Sequence, residues 1–164
     1  MSIFKSAEPL NKRDRSKPSI FLAGSIENGR AIDWQKYCET ELGENFDLFN
    51  PRVGYWDESW EPVSDNVFFA RQVNWELNGL EVADIILMNF AKNTKSPISL
   101  LEFGLMAPTK KMVVVCPDEF WKKGNVDIVC QRFDIPQFSE LDAAIDYIRK
   151  QNNNPGKKGR HSSF

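Results

Sequence analysis

Any acid–base chemistry in this sequence has to come from carboxylates. The single histidine, His161, sits in a polar tail, which excludes a Ser-His triad or a histidine-based metal site. Cys38, Cys116 and Cys130 are odd in number, widely spaced and without a C-x-x-C pair. They read as free, buried thiols, neither a disulfide framework nor a zinc site. Among the carboxylates Glu102 stands out. It is the one ionisable residue of an apolar helix expected from Ile98 to about Ala107, set among Leu100, Leu101, Phe103, Leu105 and Met106. One reading puts its carboxylate at a helix edge in water, since acids are rarely buried without a partner. The other makes it a nucleophile or base at the mouth of an α/β sheet, kept ionised by the helix dipole. Glu76 lies four residues after Gln72 and shares its helix face, which on spacing alone reads as a solvated face.

The elements that must position these groups follow from short apolar runs alternating with helical patterns. Strands are expected at Ser19–Ala23, Phe46–Asn50, Asp84–Phe90, Lys111–Cys116 and, briefly, Ile135–Phe138. Helices are expected at about Ala31–Leu42, Asp65–Ala83, Ile98–Ala107, Val126–Arg132 and from Ser139 to about Gln151. This order argues for one domain with a parallel sheet of about five strands and helices on both faces. Ligands bind such sheets at the carboxyl ends of the strands, and three segments emerge there: 24–30, 50–60 and 89–102.

Those segments carry most of the unusual residues. Gly24-Ser25 directly follows the first strand, a usual start for a phosphate- or ligand-binding turn, but the full G-x-G-x-x-G is missing. Ser96 stands as a helix N-cap and Pro97 as the first helical residue. Between Asn50 and Pro62 the chain has no periodicity yet holds Tyr55, Trp56, Asp57, Glu58 and Trp60. Those rings either cap the core or form a lid that stacks on a flat ligand such as a nucleobase.

The 164-residue chain carries a net charge of −2 and a pI near 5.5, so there is no electrostatic case for a nucleic-acid polymer or a membrane surface. No run approaches the ~18 apolar residues of a membrane span, and the N-terminus lacks a signal-peptide core. A cytoplasmic protein is expected, with a loose arm over 1–17, one domain over 18–151 and a flexible polar tail over 152–164.

Six motifs in order resemble the nucleoside 2-deoxyribosyltransferase-like family: F-L-A-G-S-I-E (21–27), D-W-Q (33–35), N-P-R (50–52), W-D-x-S-W (56–60), Q-V-x-W-E-L (72–77) and S-P-I-S-L-L-E-F-G (96–104). The resemblance implies a single-domain flavodoxin-like three-layer sandwich. It implies cleavage of the N-glycosidic bond of 2′-deoxynucleosides or their monophosphates, with no metal or cofactor. The nucleophile would be Glu102, in Glu102-Phe103-Gly104, forming a covalent deoxyribosyl-enzyme that a second nucleobase captures. Glu76, eight positions before Asp84, would assist, where many members have Asp. Gly24 and Ser25 would meet the 5′ end of the sugar and Phe21 the base. Glu27 and Asp57 would help protonate or orient the base, and Trp56 and Trp60 would exclude water. Asn50, Arg52 and Gln72 complete the expected substrate-binding set.

Ser96 departs from the transferases of the family, which carry Asp six residues before the nucleophile. The related deoxynucleoside-monophosphate hydrolases carry Ser there. Ser96 and Ser25 could thus hold a 5′-phosphate with Arg30 or Arg52 as counter-charge. Hydrolysis of the monophosphate and catalytically silent nucleotide binding are the alternatives to base transfer. Expected partners are a deoxynucleoside or deoxynucleotide, a free nucleobase and further copies of the chain in a homodimer or larger homo-oligomer.

Overall fold

Residues such as Ile20-Phe21-Leu22, Ile85-Ile86-Leu87 and Val113-Val114-Val115 are apolar on both faces, which suits strands covered on both sides. The computed structural model, which describes residues 2–6, 8–13, 15–26, 32–52 and 61–153, builds them into one parallel sheet. The elements are β1 (Ile3–Lys5), β2 (Ser19–Gly24), α1 (Trp34–Leu42), β3 (Asp47–Asn50), α2 (Val67–Val82), β4 (Ile85–Asn89), α3 (Pro97–Met106), β5 (Met112–Val115), α4 (Lys123–Phe133), β6 (Gln137–Phe138) and α5 (Leu141–Asn153). Strand order is β1-β3-β2-β4-β5-β6. From β3 to β6 this is the flavodoxin-like order, with β1 added at the edge. Helices α2, α3 and α4 pack on one face and α1 and α5 on the other, giving two apolar layers around the sheet.

Six strands form where about five were expected, because Ile3–Lys5, inside the expected arm, pairs with Leu48–Asn50. Three residues are too few to show a period. Tertiary contacts hold them instead: Phe4 packs edge-on against Phe49 at 5.6 Å, and Lys5 pairs with Glu39. Helix α1 begins at Trp34, with the Asp33 carboxylate accepting from the Lys36 amide. Its buried stripe is Trp34, Cys38 and Leu42, while Ile32 is exposed.

Strand order reverses between β2 and β4, where Gly24 lies beside Asn89. Gly24 has φ 139°, and a Cβ there would sit 2.1 Å from the Asn89 carbonyl oxygen. Only glycine lets the two strands run together to this point. Helix α2 crosses β2 just as closely, since a Cβ on Gly79 would fall 2.4 Å from the Phe21 ring. Phe21 is covered by this contact and by Trp75, at 6.0 Å between ring centroids, and is only 1% exposed. Its ring thus seats α2 on the sheet.

All three cysteines are free and buried, and burial pushes their thiols up to about 11 or 12. Among the described residues no helix is long and apolar enough to cross a membrane.

Candidate active site

Helices α2 and α3, side by side on one face, bring Glu76 and Glu102 together. Glu102 is the sixth residue of α3, past the first turn where the helix dipole acts, and its residue is 9% exposed. The wet-edge reading of it needs correction, and so does the expectation that the helix dipole keeps it ionised. The carboxylate is neither at a wet edge nor held ionised: burial, with the neighbouring Glu76 charge, pushes it up to about 8. Glu76 is half-buried, not on a solvated face. Burial raises it to about 7 against the pull of a hydrogen bond from Gln72. Two like charges this close titrate as a pair. Glu76 ionises first, and its charge then delays Glu102.

Gln72 is a positioning residue. Its amide nitrogen donates to the Glu76 carboxylate at 2.6 Å and to the Pro51 carbonyl at 3.3 Å, while its oxygen accepts from Ser6. It thus ties the second carboxylate to the exit of β3 and to the segment after β1.

Ser25 and Ser96 converge as expected. The Ser25 hydroxyl lies 2.5 Å from that of Ser96 and 3.0 Å from that of Thr94, and it accepts from the Ala91 amide. Thr94 and Ser96 close the triangle at 2.9 Å. Ser96 occupies the N-cap position, but its side chain makes no capping bond and its backbone is left-handed, with φ 48°. A non-glycine residue held this way costs about 1–2 kcal/mol, and such strain gathers at functional sites. The capping reading of Ser96 is accordingly replaced by a role in the hydroxyl cluster.

Asn50 and Arg52 make contacts within the scaffold. Asn50 donates to Glu39 at 2.8 Å and accepts from the Arg52 amide at 2.9 Å. The Arg52 guanidinium reaches the Gln35 oxygen and the Asp33 carboxylate at the start of α1. Glu27, Arg30, Tyr55, Trp56, Asp57, Glu58 and Trp60 lie outside the described residues.

Two features were not assigned from the sequence. Thr94 supplies the third hydroxyl, and its signal was the T-x-S spacing to Ser96 just before a helix. Gln35 lies at helical spacing with the buried side of α1, but its side-chain nitrogen, unpartnered among the described residues, could not be foreseen. Among the described residues no group of acids, cysteines or histidines could hold a metal ion.

The family profile of the nucleoside 2-deoxyribosyltransferase-like proteins matches residues 17–120. The chain belongs to this family. The match spans Gly24, Ser25, Gln72, Glu76, Ser96 and Glu102, so every converging group described above lies in the part of the nucleoside 2-deoxyribosyltransferase-like chain that defines the family. No curated protein matches it. Among solved structures it is similar in fold to a conserved protein from Enterococcus faecalis V583, with a TM-score of 0.57 and 12% identity over 83% of this chain and 99% of that one. At that identity the likeness concerns the fold.

Proposed function

We propose that the protein cleaves the N-glycosidic bond of 2′-deoxynucleosides through a covalent deoxyribosyl–Glu102 intermediate and passes the sugar to a second nucleobase. The observation that carries this reading is the Glu102–Glu76 pair. It consists of two carboxylates with raised pKa and, among the described residues, no cation acting on either, on the sheet face next to the point where strand order reverses. A retaining glycosyl transfer needs this composition, one carboxylate as nucleophile and one as acid and then base. In the first step a Glu102 oxygen bonds to C1′, the C1′–N bond breaks with its electron pair going to the base, and Glu76 supplies a proton to the base. In the second step an incoming base attacks C1′, Glu102 leaves as carboxylate, and Glu76 takes the proton back.

Between about pH 7 and 8 the pair holds one proton. In the empty site that proton favours Glu102, because Glu76 ionises first. Positive charge developing on the sugar draws the negative charge to Glu102 and leaves the proton on Glu76, where it is needed.

The test is base exchange between deoxyadenosine and a free pyrimidine, followed by chromatography. Wild type forms the new nucleoside, and Glu102→Ala loses roughly 10³-fold or more. Exchange that survives Glu102→Ala would end this reading.

The hydroxyl cluster favours a second reading, hydrolysis of deoxynucleoside 5′-monophosphates. Ser25, Thr94 and Ser96 form a compact set of short donors of the kind that binds phosphate. Release of free base without an acceptor, from the monophosphate against the nucleoside, separates the two. Equal or faster turnover of the nucleoside removes the phosphate reading.

A further inference from the structure

A second concavity lies away from the carboxylate pair, where the segment after β1 arches over the outer side of α2. It is a cleft of about 640 Å³, within the usual range for small-molecule sites. One wall is a stripe of α2, with Arg71, Asn74, Asn78 and Val82 at spacings of three and four. The opposite wall holds Arg13 and Arg15, and Pro9 and Leu10 add apolar surface beside Trp75. Trp75 pins the two walls together, its indole N–H donating to the Glu8 carbonyl at 2.8 Å.

The charges divide into fixed and open ones. Arg13 is held by Asp84, with nitrogens at 3.4 and 3.3 Å, and lies over the Phe49 ring at 5.9 Å. Arg15 and Arg71 make no ion pair or side-chain hydrogen bond among the described residues, leaving positive charge in a protein whose net charge is −2. Arg15 is also held at φ 58°, a left-handed conformation that a non-glycine residue adopts at a cost. A solvated polar face would need neither the concavity nor two open arginines lining it, which outnumber the one acid, Glu8, that shares the lining without an ion pair among the described residues.

We propose that this cleft binds a phosphate ester with an uncharged ring body. Arg15 and Arg71 would grip the phosphate, for which the planar guanidinium is well suited. The Asn74 and Asn78 amides would meet hydroxyl or ring-nitrogen groups, and Leu10 and Pro9 would cover the apolar part. A bound ligand joins the 8–15 segment to α2, the helix that carries Gln72 and Glu76.

The experiment is calorimetric titration with ADP, ribose 5-phosphate and inorganic phosphate, repeated in Arg15→Gln/Arg71→Gln and in Asn78→Leu, which fills the cleft without changing charge. Hydrogen exchange maps the site. At least one of the three ligands binds wild type, each variant weakens it tenfold or more, and amides in 8–13 and 71–78 gain protection. The titration is repeated in Glu102→Gln, where binding stays unchanged, so its outcome is independent of the reaction at the carboxylate pair. Absence of binding by all three at millimolar concentration overturns the proposal. So does binding that both cleft variants leave untouched.

Discussion

Two buried glutamates in this molecule meet opposite fates. Glu39 on α1 is 2% exposed, and burial by itself pushes its carboxyl up. Hydrogen bonds from Lys5, Asn50 and Lys36 outweigh that and hold it below its ordinary value. Glu102 on α3 is almost as buried but has no hydrogen-bond donor among the described residues and a second carboxylate for a neighbour, so burial wins. Both side chains are shielded from water, but Glu102 is enclosed by more protein and feels the stronger burial. The fold also supplies partners to Glu39 and none among the described residues to Glu102, and the two effects together separate a carboxyl held below its ordinary value from one raised above it.

The largest expected effect follows from exchanging each for its neutral isostere. Glu102→Gln lowers base exchange or base release by roughly 10³-fold or more while the protein stays folded. Glu39→Gln keeps turnover per folded molecule within a few-fold, but leaves lysines without their acceptor. It costs about 1–3 kcal/mol in urea unfolding. Comparable activity losses in the two variants would break the distinction.

Stability against pH should separate the same residues with opposite signs. Glu76 and Glu102 have raised values, so the folded protein holds more protons than the unfolded chain between about pH 4.5 and 8. Their contribution is therefore full below pH 4.5 and declines as pH rises through that window. Glu39 is lowered, so its contribution is present above its unfolded value of 4.5 and is lost as pH falls through its folded value. In thermal melts from pH 4 to 9, Glu102→Gln should gain several degrees over wild type near pH 9 and match it near pH 4. Glu39→Gln should be the less stable chain at pH 7 and approach wild type under acid.

Much of this arrangement could be read from residue order. The alternation of short apolar runs with helical patterns located five strands and five helices, because burial on both faces writes itself into sequence as runs of Val, Ile and Leu. Glu102 was conspicuous as an acid in an apolar helix. Its protonation was not legible, because that depends on which donors reach it, a property of packing between helices distant in sequence. The same holds for β1, whose pairing with β3 rests on contacts of Phe4 and Lys5 with residues about 35–45 positions away. Ser96 could be read as a cap or a ligand group, and only the left-handed backbone and the 2.5 Å approach to Ser25 set the cap aside. The seating of Gly79 on Phe21 was not legible either, because that contact joins a strand to a helix almost sixty residues later.

The finest test changes one hydrogen bond instead of a charge. Glu76 differs from Glu102 in having a donor, Gln72, which lowers its pKa without overcoming burial. If donors decide the fate of a buried acid, Gln72→Leu should let burial act on Glu76 unopposed and move its ionisation above about 7. A hydrogen bond to a charged group is worth on the order of 1.5–3 kcal/mol, and only part of that is expressed here because Gln72 also holds Pro51. The pH–rate profile of wild type should peak between about 7 and 8, where the pair holds one proton. In Gln72→Leu the acid limb should shift to higher pH, so that activity below pH 7 falls about fivefold relative to the new optimum. A lower rate with an unmoved limb would mean that Gln72 only braces α2 against Pro51, and that the availability of Glu76 is set by depth alone.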